Sequence, residues 1–153
     1  MDRQIRATED GRIALALHHG DVAFLAEMVE MLNGVGDVED DPGKARLNVP
    51  AYLGDVNAAD EFRHLMGDEI EDGRARDRKA MLEVLASDSP ALVDQEQALG
   101  ILRVANEARL VLAARLGIEV ESDYENLDVE GAVSLHYLGL FVEELTHELA
   151  GLL

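Results

Sequence analysis

Two Glu-x-x-His pairs, Glu61 with His64 and Glu144 with His147, have the spacing with which four-helix bundles hold a pair of metal ions. Such a centre needs both pairs, and two further carboxylates, to point into the bundle. At about 100° per residue, Glu61 lies roughly 120° and His64 about 180° from the apolar side of their helix, marked by Phe62, Met66, Ile70, Gly73, Ala80 and Val84. Glu144 and His147 lie about 130° and 170° from a stripe of Leu135, Leu138, Val142, Leu145 and Leu149. Both pairs are expected to face outward. With 17 Glu and 5 His in 153 residues, one such spacing is close to chance, and no metal site is expected. His18 and His19, if on a strand, would point to opposite faces.

A second constellation points inward. Leu99, Leu102, Ala105, Leu110, Ala113 and Leu116 trace an apolar stripe, and Asn106 and Arg109 fall within about 30° of its centre. A buried guanidinium needs a carboxylate and further acceptors. Glu69 and Asp77, on the inward side of the preceding helix, are expected to supply one. Two readings stay open: a structural ion pair that sets helix register, or a polar pocket for a small anion or a partner's carboxylate. Arg74, Arg76, Arg78 and Lys79 spread around their helix among Glu69, Glu71, Asp72 and Asp77, which reads as solvated surface. The chain has no P-loop, GxGxxG, GxSxG, HExxH or EF-hand loop. Ser134 has no base beside it, and the acids from Asp37 to Asp41 lack ordered calcium-ligand spacing. No catalytic residue, cofactor or metal is expected, so the chain reads as a non-enzyme.

The composition narrows the field further. Thirteen Lys and Arg against 32 Asp and Glu leave a formal charge of −19, which repels phosphate backbones and disfavours direct nucleic-acid binding. The absence of cysteine removes disulfides, thiolate nucleophiles and cysteine-ligated metals. The longest uncharged run around the apolar segments, residues 131–142, is too short to span a membrane. The opening MDRQIRATEDGR has no apolar signal-peptide core, which predicts a cytoplasmic protein.

At 48% hydrophobic, with Leu, Val, Ile and Ala in periodic array, the chain is expected to form one mainly α domain over residues 1–153. A short hairpin over about residues 4–17 turns at Glu9-Asp10-Gly11. Helices are predicted over about 21–33, 56–86, 94–116 and 131–152, making a bundle of about four helices. Asp21 is the expected cap of the first and Asn33-Gly34 its stop. Asp94 with Gln97 forms a capping pattern for the third, and Gly117 a left-handed end. Residues 34–55 read as a long connection pinned by Leu47, Val49 and Tyr52, and 119–130 as an acidic loop.

Asp41-Pro42, Arg46-Leu47 and Pro50-Ala51-Tyr52 lead into Asp60-Glu61-Phe62-Arg63, then a long helix, then Asn106-x-x-Arg109-Leu-x-Leu-x-x-Arg115-Leu-Gly117 and a Leu-rich terminal helix. In this order and spacing the chain resembles the actinobacterial AosR-type oxidative-stress regulators, first catalogued as a domain of unknown function. The resemblance implies an intracellular, non-enzymatic regulator of transcription, encoded beside the protease adaptor ClpS and a JAMM-type metallopeptidase. Thiol sensing is attributed to some members, and this cysteine-free chain departs from that pattern. Arg63, Asn106 and Arg109 match the family pattern; no functional role is carried over to them, and a structural one is expected.

The expectation is therefore an acidic regulatory protein that acts through a partner with a basic surface, docking on residues 34–55 or 119–130. A homodimer is compatible with it. The alternative is a helical protein that binds a small ligand or metal with the inward cluster of Glu69, Asp77, Asn106, Arg109 and Arg63.

Overall fold

A computed structural model describes residues 4–35, 37, 39–47 and 56–153; for 56–60, 62–65 and 68 it describes the backbone alone. Asp10-Gly11 turns the chain between β1 (Gln4–Ala7) and β2 (Ile13–Ala16), with Gly11 at φ +82°, which an L side chain rarely adopts. The strands pair antiparallel with Ile5 opposite Leu15, as the expected hairpin requires. A third strand, β3 (Ala91–Val93), extends the sheet in the order β1-β2-β3 and places Val93 opposite Ile13. Its three residues are too few to show strand periodicity in the sequence. Ile5, Ile13, Leu15 and Val93 bury the same face of the sheet.

α1 (His19–Asn33) begins two residues earlier than expected. His18, not Asp21, occupies the cap position, and Asp21 sits at the third helical position, where its carboxylate accepts the His18 amide at 3.0 Å. Gly34 ends α1, as expected. Residues 34–55 are not a plain connection. Asp41-Pro42 starts a short helix, α2 (Pro42–Leu47), with proline at the first helical position where no amide partner is lost. Leu47 packs against the core; Val49 and Tyr52 lie outside the described residues.

α3 (Val56–Leu85) and α4 (Gln95–Arg115) follow the expected ranges. Asp94 accepts the Gln97 amide at 2.7 Å while Gln97 accepts the Asp94 amide at 2.9 Å, and Gly117 at φ +79° ends the run. The acidic segment contains a 3-10 turn, Glu121–Asn126, fastened by the Asp123 carboxylate, which accepts the Glu119 and Val120 amides. Those two donors hold the Asp123 carboxyl below its ordinary range. α5 (Val129–Ala150) completes the chain, capped by Asp128.

α4 is the central helix, touched by α1, α2, α3, α5 and β3. That crowding explains its buried face, which is Ala98, Gly100, Ile101, Val104, Ala105, Ala108 and Val111 rather than the leucine stripe the sequence suggests. Small side chains let four neighbours approach, while Leu99 and Leu110 sit exposed at the rim. α5 buries Leu135, Leu138, Phe141, Leu145 and Leu149 against α4 and β1. One continuous core joins the sheet, α1, α4, α5 and the end of α3. The fold is mainly helical with a small antiparallel sheet, as composition and periodicity indicate.

Candidate functional site

α3 turns a mixed stripe toward α4. Met81 and Leu85 bury its C-terminal end, and Arg74, Asp77 and Arg78 fall within about 60° of Met81 on the same side. The apolar side expected from the sequence is rotated from this one; Met66, about 60° from Met81, and Ile70, about 20° from Met81 where the groove opens, are both exposed. Where the stripe turns charged, α3 and α4 part to leave a groove of about 720 Å³. Glycines let its walls come close: a Cβ on Gly100 would stand 3.1 Å from an Asp77 oxygen.

Ion pairs cross the groove. Arg103 on α4 donates from Nε and Nη2 to the two Asp77 oxygens at 2.8 and 3.0 Å, a bidentate pairing that raises the guanidinium's pKa. Arg74 on α3 lies 3.5 Å from Glu107 on α4, 3.3 Å from Glu71, and donates to the Leu47 carbonyl at 3.1 Å, so it also ties down the end of α2. Arg74 and Arg78 are thus half-buried between helices rather than solvated surface. Glu107 is the least comfortable group. Burial pushes its carboxyl above the ordinary glutamate range, against the pull of Arg74 and Arg78, and its Oε2 is buried with no hydrogen-bond partner among the described residues.

The expected inward cluster is only partly assembled. Asp77 lines the groove, but its cation is Arg103, not Arg109. Glu69 lines the same groove with an exposed side chain. Asn106 is half-buried, and Arg109 is exposed, about 100° around α4 from Ala108 near the centre of the buried face. The Arg63 side chain lies outside the described residues. Glu61, Glu144 and His147 are exposed, and His64 lies outside the description. Among the described residues, no group of three His, Asp or Glu could hold a metal ion.

One contact joins two parts of the sequence pattern that sequence reasoning left separate. Asp41, only 6% exposed, receives Arg115 Nη2 at 2.6 Å and Nε at 3.2 Å, and also accepts the Gly43 amide at 2.8 Å. Arg115 and these amides hold the Asp41 carboxyl below its ordinary value. Gly43 beside it is buried where a Cβ would stand 2.6 Å from Val111 Cγ1. The Asp-Pro start and the Arg-Leu-Gly end of the pattern thus meet as a clasp that seats α2 on α4.

The outer face of α5 has the opposite character. Val129 and Val133 are 80% and 61% exposed, and Leu140 is 39% exposed. With the exposed His136 and His147 they form one strip about 60° wide. Val120 and Tyr124, before the helix, are also exposed. From Leu116 to Leu153 the chain has nine Asp and Glu and no Lys or Arg. Every Lys and Arg lies at or before Arg115, and in the groove Arg74 and Arg103 pair with carboxylates.

No helix among the described residues is long and apolar enough to cross a membrane. The fold and these surfaces define a small acidic helical domain with a charged inter-helix groove and an apolar strip set in anionic surface. The family model described as domain of unknown function DUF2017 matches residues 3–149, and the chain belongs to that family. No curated protein and no solved structure matches it.

Proposed function

We propose that this protein is a non-enzymatic, cytoplasmic regulator that acts by docking a protein partner with a basic surface. The finer reading follows the AosR-type regulators it resembles: control of transcription under oxidative stress in an actinobacterium, exerted through the partner rather than on DNA. The observation that carries the proposal is the C-terminal quarter, residues 116–153, with nine acids, no Lys or Arg and exposed apolar side chains on one helix face. Isolated exposed aliphatics are ordinary; several on one strip within a single-sign field suit a partner. The same field repels phosphate, so contact with DNA would have to be indirect. With no cysteine, the switch is not a disulfide; among the described methionines, Met66 is the exposed one.

The test is retention of a partner from native lysate on the immobilised full chain, repeated at high salt. A specific protein held at low salt and released at high salt is expected; nothing held under either condition refutes the proposal. A second reading, a small ligand in the α3–α4 groove, is favoured by Glu107 Oε2, which lacks a partner among the described residues. Native mass spectrometry of freshly purified protein would reveal a bound mass, and an unmodified chain mass would exclude it.

A further inference from the structure

The strip on α5 has the form of one half of a helix–helix interface. Val129, Val133 and Leu140 follow each other along the helix over a rise of about 16 Å, three turns of a partner helix. Exposed Glu130 and Glu143 flank the strip on opposite sides, and exposed Glu119, Glu121, Glu125 and Asp128 precede it in the segment that leads into α5. We propose that this strip of α5 seats a basic amphipathic helix of the partner, whose apolar side chains cover Val129, Val133 and Leu140 while its Lys and Arg meet the flanking carboxylates. The inference rests on the partner reading and adds to it the surface and the kind of segment bound.

Charge selects this occupant over its rivals. A second copy of the chain would set the same nine acids against nine more, with no cation in either segment to relieve them. An anionic lipid surface is repelled by the same field. A basic helix supplies apolar anchors at three- and four-residue spacing and counter-charges on its edges, the usual helix-in-groove pattern. Long-range attraction would speed encounter, and burial of the valines would slow release.

The experiment measures binding of a fluorescent synthetic helix of about 14 Leu and Lys residues to the full-length chain by anisotropy. A scrambled peptide of the same composition, without an apolar face, is the control. The variant carries V129D and V133D together. Both side chains are so exposed that the variant should keep the wild-type helical circular dichroism. The substitutions make opposite demands on the two explanations. If charge attraction alone binds the peptide, two added carboxylates tighten it. If the apolar strip is the seat, affinity falls about tenfold despite the added charge.

Weaker binding by the variant, together with preference for the amphipathic over the scrambled peptide, is the expected result. Equal or tighter binding by the variant overturns the proposal. So does a wild-type dimer, seen by light scattering, that the two substitutions dissociate, because the strip would then belong to a second copy. In the lysate experiment, a salt-sensitive partner retained equally by wild type and variant removes the α5 seat and leaves the partner reading standing. Failure of wild type to retain anything removes the partner reading, while the peptide still reports on the strip.

Discussion

Replacing Gly43 by alanine tests how closely α2 is clasped to α4. In an ordinary helix the change stabilises by up to about 1 kcal/mol, because alanine loses less conformational freedom on folding. At this site the new Cβ would stand 2.6 Å from Val111 Cγ1 and 3.1 Å from an Asp41 oxygen. Ordinary contact begins near 3.4 Å, so one wall must yield by about 0.8 Å. Val111 cannot easily do so. It is fully buried, and a β-branched side chain in a helix has one strongly preferred rotamer. The remaining way out is to lift α2 and loosen the Asp41–Arg115 pairing. Overpacking of this kind costs about 1–3 kcal/mol, so Gly43→Ala is expected to destabilise by about 1–2 kcal/mol net. For a chain of this size the melting temperature then falls by about 2–4 °C per kcal/mol.

The decisive measurement is a double-mutant cycle with Val111→Ala, by urea denaturation followed by circular dichroism. Val111→Ala alone should cost about 2 kcal/mol for its lost methyl groups and the cavity they leave. On that background Gly43→Ala should become neutral or stabilising, a coupling of about 1–3 kcal/mol. Stabilisation by Gly43→Ala in the wild-type background, or additivity with Val111→Ala, would refute the close approach.

Glu107→Gln should leave stability unchanged near pH 4 and raise it progressively toward pH 7. The folded-state pKa lies above the ordinary 4.5, so the native state binds more protons and loses stability as pH rises; chemical denaturation at several pH values checks the direction. Asp41→Asn should do the reverse. The native Asp41 carboxyl is held below its ordinary 3.8, so its contribution is present above that value and is lost as pH falls through the lowered one. The variant's acid-unfolding curve should therefore be flatter than wild type's. Arg109→Met should change stability by no more than about 0.5 kcal/mol, since the side chain is exposed; a larger loss would restore an inward role for it.

The hairpin, α1, α3, α4 and α5 are legible in the sequence because each rests on local rules: a turn dipeptide, a reciprocal cap, a glycine stop, a periodic apolar face. α2 and β3 are not, being six and three residues long, too short for a period to show. Asp41-Pro42 is the local sign of α2, as aspartate before a first-turn proline marks a helix start. The candidate groove is half legible. Glu69 and Asp77 are on it, whereas Arg74, Arg103 and Glu107 carry no local sign of it, because the large aliphatics do not mark the inward faces of α3 and α4.

Composition and periodicity by themselves determined an acidic, cysteine-free, mainly helical chain, the hairpin at its start and the outward placement of Glu61, Glu144 and His147. Only the tertiary structure decided which side of each helix is inside. On α4 four neighbouring helices select a buried face of mostly small residues, Ala, Gly and Val with one Ile, and this rotates Arg109 out and brings Arg103 and Glu107 to the groove. It also decided that Asp41 finds Arg115 across 74 residues of chain, a pairing no local spacing encodes. Helix rotation and long-range pairing depend on what the neighbours bury, and neighbours exist only in the folded molecule.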